Sequence, residues 1–252
     1  MNSETNPTKK NHYTTTIHFE TAINKAFANY KKIALYAGLA LFVFFFMLIL
    51  LISAISANVI GTENINEKSM EQFSKLLMTK PYLWYYSGFS IVLGSILTPF
   101  MAGFYKMADA AAKDSSFGIA DLFSFYRSKH FFPLFGATFI IGVVTNSLSL
   151  LSDELNISSL GLLLVLILNF ITLLTVPLII FENEGAFSSI KTSIIITLKQ
   201  AWVIFLLVFI ALIGVLLGLF VFCIGIIFTY PFFVSMIYTI YNQMASSNNT
   251  ES

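Results

Sequence analysis

Charge is what this sequence has least of. Only 11% of its 252 residues are Asp, Glu, Lys or Arg, against about 25% in soluble domains. The net charge is +1, and the aromatic residues sit inside apolar runs rather than between basic ones, which excludes a nucleic-acid-binding face. Cysteine is nearly absent. The single thiol, Cys223, permits no intramolecular disulfide and reads as small apolar filler. Three histidines, His12, His18 and His130, cannot supply the imidazole cluster of a membrane iron oxygenase. No nucleotide loop, zinc motif or nucleophile elbow occurs, so the sequence offers no catalytic, cofactor-binding or metal-binding residue. A signal peptide is not apparent either: the first apolar run is too long and lacks a small-residue cleavage site.

What remains is apolar. Hydrophobic residues make up 57% of the chain, with 27 phenylalanines that a water-soluble core of this length could not hide. A helix crossing a bilayer needs about 20 mostly apolar residues. Six stretches qualify, at about 33–57, 82–105, 131–151, 159–181, 201–222 and 224–243, the last two separated only by a turn near Gly225. The expected fold is therefore all-α: a polytopic membrane helix bundle, residues 18–243, of six transmembrane helices in three pairs. Residues 1–17 and 244–252 read as disordered arms, and 58–81 as a polar helix or cap. Eleven Lys and Arg fall on one side of this topology and three on the other, so both termini are expected in the cytoplasm. Tyr82, Trp84, Tyr85 and Tyr86 would anchor the outer interface and Trp202 an inner one.

The pairs look like three copies of one unit. Each begins with a helix-periodic stretch on the expected cytoplasmic side: Phe19, Ile23, Ala26, Phe27 and Tyr30; then Ile119, Leu122, Phe123 and Tyr126; then Phe187, Ile190, Ile194 and Leu198. Such stretches read as interfacial amphipathic helices, or else as extensions of the following span packed on their neighbours. The second span of each unit carries one proline, Pro99, Pro177 or Pro231. Each would kink its helix and free a carbonyl, for which Thr98, Thr175 and Thr229 are placed as partners. The prolines read as bends that close a bundle rather than as hinges of a pump, because the six spans contain no ionisable residue. The polar groups that could line an interior or a path are Asn146, Asn169 and Thr175. Gly214 and Gly218 form a small-xxx-small pattern that favours close helix approach, and Ser90 with Gly94 forms a weaker one.

Two segments carry a family resemblance. One runs from Pro177 to Glu182 through Glu184, Gly185, Lys191, Ser193, Lys199 and Trp202; the other couples Pro99–Gly103 to Asp121–Phe123. Together they resemble the membrane domain associated with bacterial glycerophosphodiester phosphodiesterases and its stand-alone multi-pass relatives of unknown function. The chain departs from that pattern at Ile194, where an aromatic is usual, and lacks the soluble phosphodiesterase domain. The resemblance thus implies an architecture and not an activity. The expected function is a non-enzymatic scaffold or lipid-associated module of the bacterial cytoplasmic membrane. Its partners would be membrane lipids or a protein docked on the surface helices. The alternative is a permease or flippase for a neutral or amphiphilic small molecule; a membrane-embedded enzyme ranks third.

Overall fold

A computed structural model describes residues 17–60, 82–220 and 225–245, with isolated positions at 68, 71, 75 and 79. The terminal arms up to residue 16 and beyond 245, most of the 58–81 connection and Cys223 lie outside the described residues. Every described regular element is helical. The elements are α1 (Phe19–Ile60), α2 (Tyr82–Ala112), α3 (Ala120–Phe123) with a 3-10 turn at Ser124–Arg127, and α4 (Phe131–Glu154). There follow α5 (Ser158–Ile171), α6 (Thr175–Glu182), α7 (Ala186–Lys199), α8 (Ala201–Leu217) and α9 (Gly225–Ala245). Five stretches are long and apolar enough to cross a membrane: Phe19–Leu51, Tyr82–Ala112, Phe131–Glu154, Ser158–Glu182 and Ala201–Phe220. The sixth expected span folds as α9, 21 residues long, and is not among these five. Ten of its residues are buried, and a helix shielded by its neighbours has less need of an apolar surface toward lipid.

Several expectations change on folding. The first amphipathic stretch is no separate interfacial helix. It is the start of α1, whose 42 residues extend about 63 Å at 1.5 Å per residue, twice a hydrocarbon core. Its buried face is Ala22, Ala26, Asn29, Ile33, Ala37 and Leu41, while Phe19 and Phe27 point outward. The second stretch is one helical turn plus a 3-10 turn, sunk against α2 by Leu122 and Phe125. Only the third forms a full helix, α7, and its inward face is mostly small and polar: Ser189, Ser193 and Thr197, with Ile196 beside them. Phe187, Ile195 and Leu198 face out. At the chain ends, Ile17 and Met244, assigned to the arms by composition, are buried in the core.

Helix pairing is also rearranged. α8 packs on α9 and α4 on α5, as consecutive pairs should, but α1 packs chiefly along α9 and α2 chiefly along α4. Glycine sets the α8–α9 approach. A Cβ on Gly214 would fall 2.7 Å from the Phe232 ring, and one on Gly218 2.6 Å from the Gly225 backbone. The small-xxx-small pattern therefore serves contacts within the chain. Gly225 opens α9 and is part of this contact rather than the turn itself. Gly94 has open space around it, so the weaker pattern brings no described backbone close.

The packed core is confined to one end. Three clusters of buried residues gather the start of α1, the end of α2, α3, the start of α4, α6, α7, the start of α8 and the end of α9. Lysines mark the same end, called basic below. Lys32 pairs with Asp114 and Lys106 with Asp121, and Asn29 Nδ2 donates to the Ala108 carbonyl at 2.9 Å. Tyr238 donates to Asp109 at 2.7 Å and Tyr241 to Glu182 at 2.8 Å, tying α9 to α2 and α6. The backbone N–H groups of Ile17 and His18, orphaned at the start of α1, donate to Gln200 and Gln243. Toward the other end of the bundle α1 leaves its neighbours, and Phe42 to Leu51 are exposed except for the half-buried Phe44 and Leu48.

The two segments paired by the family resemblance touch directly. A Cβ on Gly103 would collide with the Leu122 backbone, and the Phe100 and Phe123 rings sit 5.5 Å apart. Asp121 completes the joint, accepting from the Gly118 N–H at 2.9 Å beside Lys106 at 2.8 Å. Burial alone would raise its pKa, but the bonds from Lys106 and Gly118 outweigh that and hold it below the ordinary carboxylate value. Two outcomes follow for thermal unfolding in detergent. Gly103→Val should lose about 1–3 kcal/mol by overpacking, whereas Gly94→Ala should be neutral or mildly stabilising. Because the folded pKa of Asp121 is depressed, its contribution is full above the unfolded value of ~3.9 and lost as pH falls through the folded value. Asp121→Asn should remove that acid-sensitive part, about 0.5–1 kcal/mol for a partly exposed pair, in melts run between pH 7 and pH 2.

Candidate functional site

A break in the fourth membrane stretch builds the candidate site. The sequence predicts one helix kinked at Pro177; instead α5 stops at Ile171 and α6 starts at Thr175. Pro177 is the third residue of α6, where its missing N–H would have had no intrahelical partner anyway. The strain falls on the three residues between the helices, and a side chain from α7 resolves it. Ser193 Oγ donates to the Ile171 carbonyl at 3.0 Å and accepts from the Leu174 N–H at 3.1 Å. Thr175, expected to serve this purpose, is buried with its hydroxyl unpartnered among the described residues. Thr98 and Thr229 do bond backward, to the carbonyls of Gly94 and Gly225, but neither reaches the carbonyl that its proline frees, that of Ser95 or Ile227.

Beside this clasp a cleft of about 450 Å³ lies between α5 and α8, within the usual range for ligand pockets. α5 contributes Leu163, Leu166, Ile167, Asn169 and Phe170; α8 contributes Phe205, Val208, Phe209 and Leu212; Phe233 of α9 and Leu173 complete it. At one end Phe170 meets Phe205 edge-on at 6.2 Å, and Trp202, Phe205 and Phe209 stack in a row along α8. Asn169 is the one polar residue in the lining. Its Nδ2 is held by the Val165 carbonyl at 2.9 Å, and no described residue donates to its Oδ1.

Of the three polar residues proposed from sequence for an interior path, the structure places only Asn169 in the cleft. Asn146 bonds the Gly142 carbonyl of its own helix, and Thr175 lies buried at the start of α6. No nucleophile, acid or base lines the cleft, and no group of three or more metal-ligating side chains gathers among the described residues. The arrangement can hold a hydrocarbon chain and offer one amide to a polar group beside it. Sequence reasoning missed the clasp, although Ser189, Ser193 and Thr197 recur at helical spacing, a legible small-polar packing stripe.

The architecture is thus a helical bundle with membrane-length apolar helices and a laterally open apolar cleft. Comparison of the chain with protein-family models, with characterised proteins and with solved structures finds no match. Ser193→Ala should leave a buried N–H and carbonyl unpaired and cost about 1–3 kcal/mol. Ser193→Thr should recover part of the loss; hydrogen exchange at Leu174 in detergent micelles would report both.

Proposed function

We propose that this chain is a non-enzymatic, lipid-associated module of a bacterial cytoplasmic membrane, whose cleft between α5 and α8 holds a lipid acyl chain. The single observation behind this reading is the cleft itself: ligand-sized, open to the side and lined by hydrocarbon with one amide. In this reading α9 is the sixth crossing, both termini are cytoplasmic, and α7 lies at the inner leaflet. Two features support that placement of α7. Its outward face carries Phe187, Ile195 and Leu198 next to Trp202 of α8, and Lys191 and Lys199 flank that face. The family resemblance, to a domain appended to lipid-acting enzymes, agrees with this reading but does not carry it.

Transport of an amphiphile is the second reading, favoured by Asn169 standing in the cleft. It fits less well, because the packed clusters at the basic end leave α8 and α9 in tight apolar contact. Native mass spectrometry from nanodiscs separates the two. The wild-type chain should retain phospholipid, and Leu212→Trp, which fills the cleft from an exposed position, should retain about tenfold less. Equal retention by the two proteins would remove the acyl-chain reading. A solute flux in vesicles that falls with Asn169→Leu would establish transport in its place.

A further inference from the structure

A second cavity, of about 210 Å³, lies at the basic end between α1, the end of α2 and α9, and shares no lining residue with the cleft. Lys25, Asn29 and Lys32 line it from one face of α1, at i, i+4 and i+7. Asn29 is 5% exposed. Its amide nitrogen is spent on the Ala108 carbonyl, and its Oδ1 has no hydrogen-bond partner among the described residues. A buried acceptor left empty in this way is unfavourable unless something donates to it.

The charges around the cavity are unevenly satisfied. Lys32 is held by Asp114 and the Ala111 carbonyl. Asp109 is paired with Lys113 and accepts a hydrogen bond from the Tyr238 hydroxyl. Lys25 has no anionic partner among the described residues. The cavity thus offers the exposed Lys25 ammonium to an anion and, one helical turn away, the buried Asn29 Oδ1 to a donor. A small phosphoryl group that carries a hydroxyl supplies both. The level agrees: the apolar run of α1 begins at Ile33, directly after Lys32, and α9 turns polar at Asn242 and Gln243. Lipid head groups sit at that depth of a bilayer.

We infer that the cavity bounded by Lys25, Asn29 and Lys32 is a binding site for a hydroxyl-bearing phosphoryl group, presented by a phospholipid head group or as a free phosphate. The inference does not rest on the acyl-chain cleft, and the test keeps the two apart. The full chain is placed in phosphatidylcholine nanodiscs, in one arm with added phosphatidylglycerol and in the other with inorganic phosphate. Thermal stabilisation and bound adducts by native mass spectrometry are read in both. Stabilisation by either probe is expected, and whichever acts identifies the source. Lys25→Glu, at an exposed position, and Asn29→Leu should each weaken the response about tenfold, the loss of one charge-assisted or buried hydrogen bond. Leu212→Trp should leave it unchanged. If Asn29→Leu does not fold, Lys25→Glu decides alone. No stabilisation by either probe, or a wild-type response in Lys25→Glu, overturns the site.

Discussion

A backbone amide that meets hydrocarbon without a partner has no water to fall back on, and most of this fold follows from that constraint. Helices satisfy their own ladders, so the described chain is helical throughout. The instructive place is where a ladder stops. Between Ile171 and Leu174 the chain abandons one helix and starts another, and the hydroxyl of Ser193 acts at once as donor and acceptor across the gap. That clasp ties α7 to the gap, and the cleft between α5 and α8 lies beside it. At the water-facing ends of helices the same need is met differently. α2, α4 and α6 each end near a left-handed Asp114, Asn156 or Asn183, residue types that tolerate positive φ better than other non-glycines.

Packing then decides which end is solid. Without a hydrophobic force between helices in lipid, association depends on close contact and hydrogen bonds. Both are concentrated at the basic end, where glycine at 103 admits the α3 backbone and tyrosines 238 and 241 bind acidic groups on α2 and α6. Away from that end α1 stands clear of its neighbours, with large apolar side chains exposed. Such a surface suits a bilayer and would not survive in water. The segments that carry the family resemblance turn out to be joints of this solid end: Pro99–Gly103 against Asp121–Phe123, and Pro177–Glu182 against Ser193 and Tyr241.

Membrane-length apolar stretches, the scarcity of charge along them, and the glycine pattern of α8 were all legible in the residue string, because each is a property of consecutive residues. Less legible was the direction a helix would face. The α7 stripe was read from its apolar residues, yet its serines and threonine turn inward. In lipid the small residue packs and the large one faces solvent, the reverse of the rule in water. Pro99 and Pro231 lie inside α2 and α9, as read from the sequence, but Pro177 misled for a related reason. Pro177 sits in the first turn of a helix whose start could not be seen without knowing where the preceding helix ends.

Composition and hydropathy by themselves determined that this is a helical chain with apolar stretches of membrane length. Only the tertiary structure decided that α1 closes on α9, that Ser193 mends a broken helix nineteen residues earlier at Leu174, and that Asn169 faces a cleft while Asn29 faces a separate cavity. The physical reason is one of range. Solvent preference acts on each residue and its near neighbours, whereas a clasp, a cleft or an empty acceptor exists only once distant helices share a boundary.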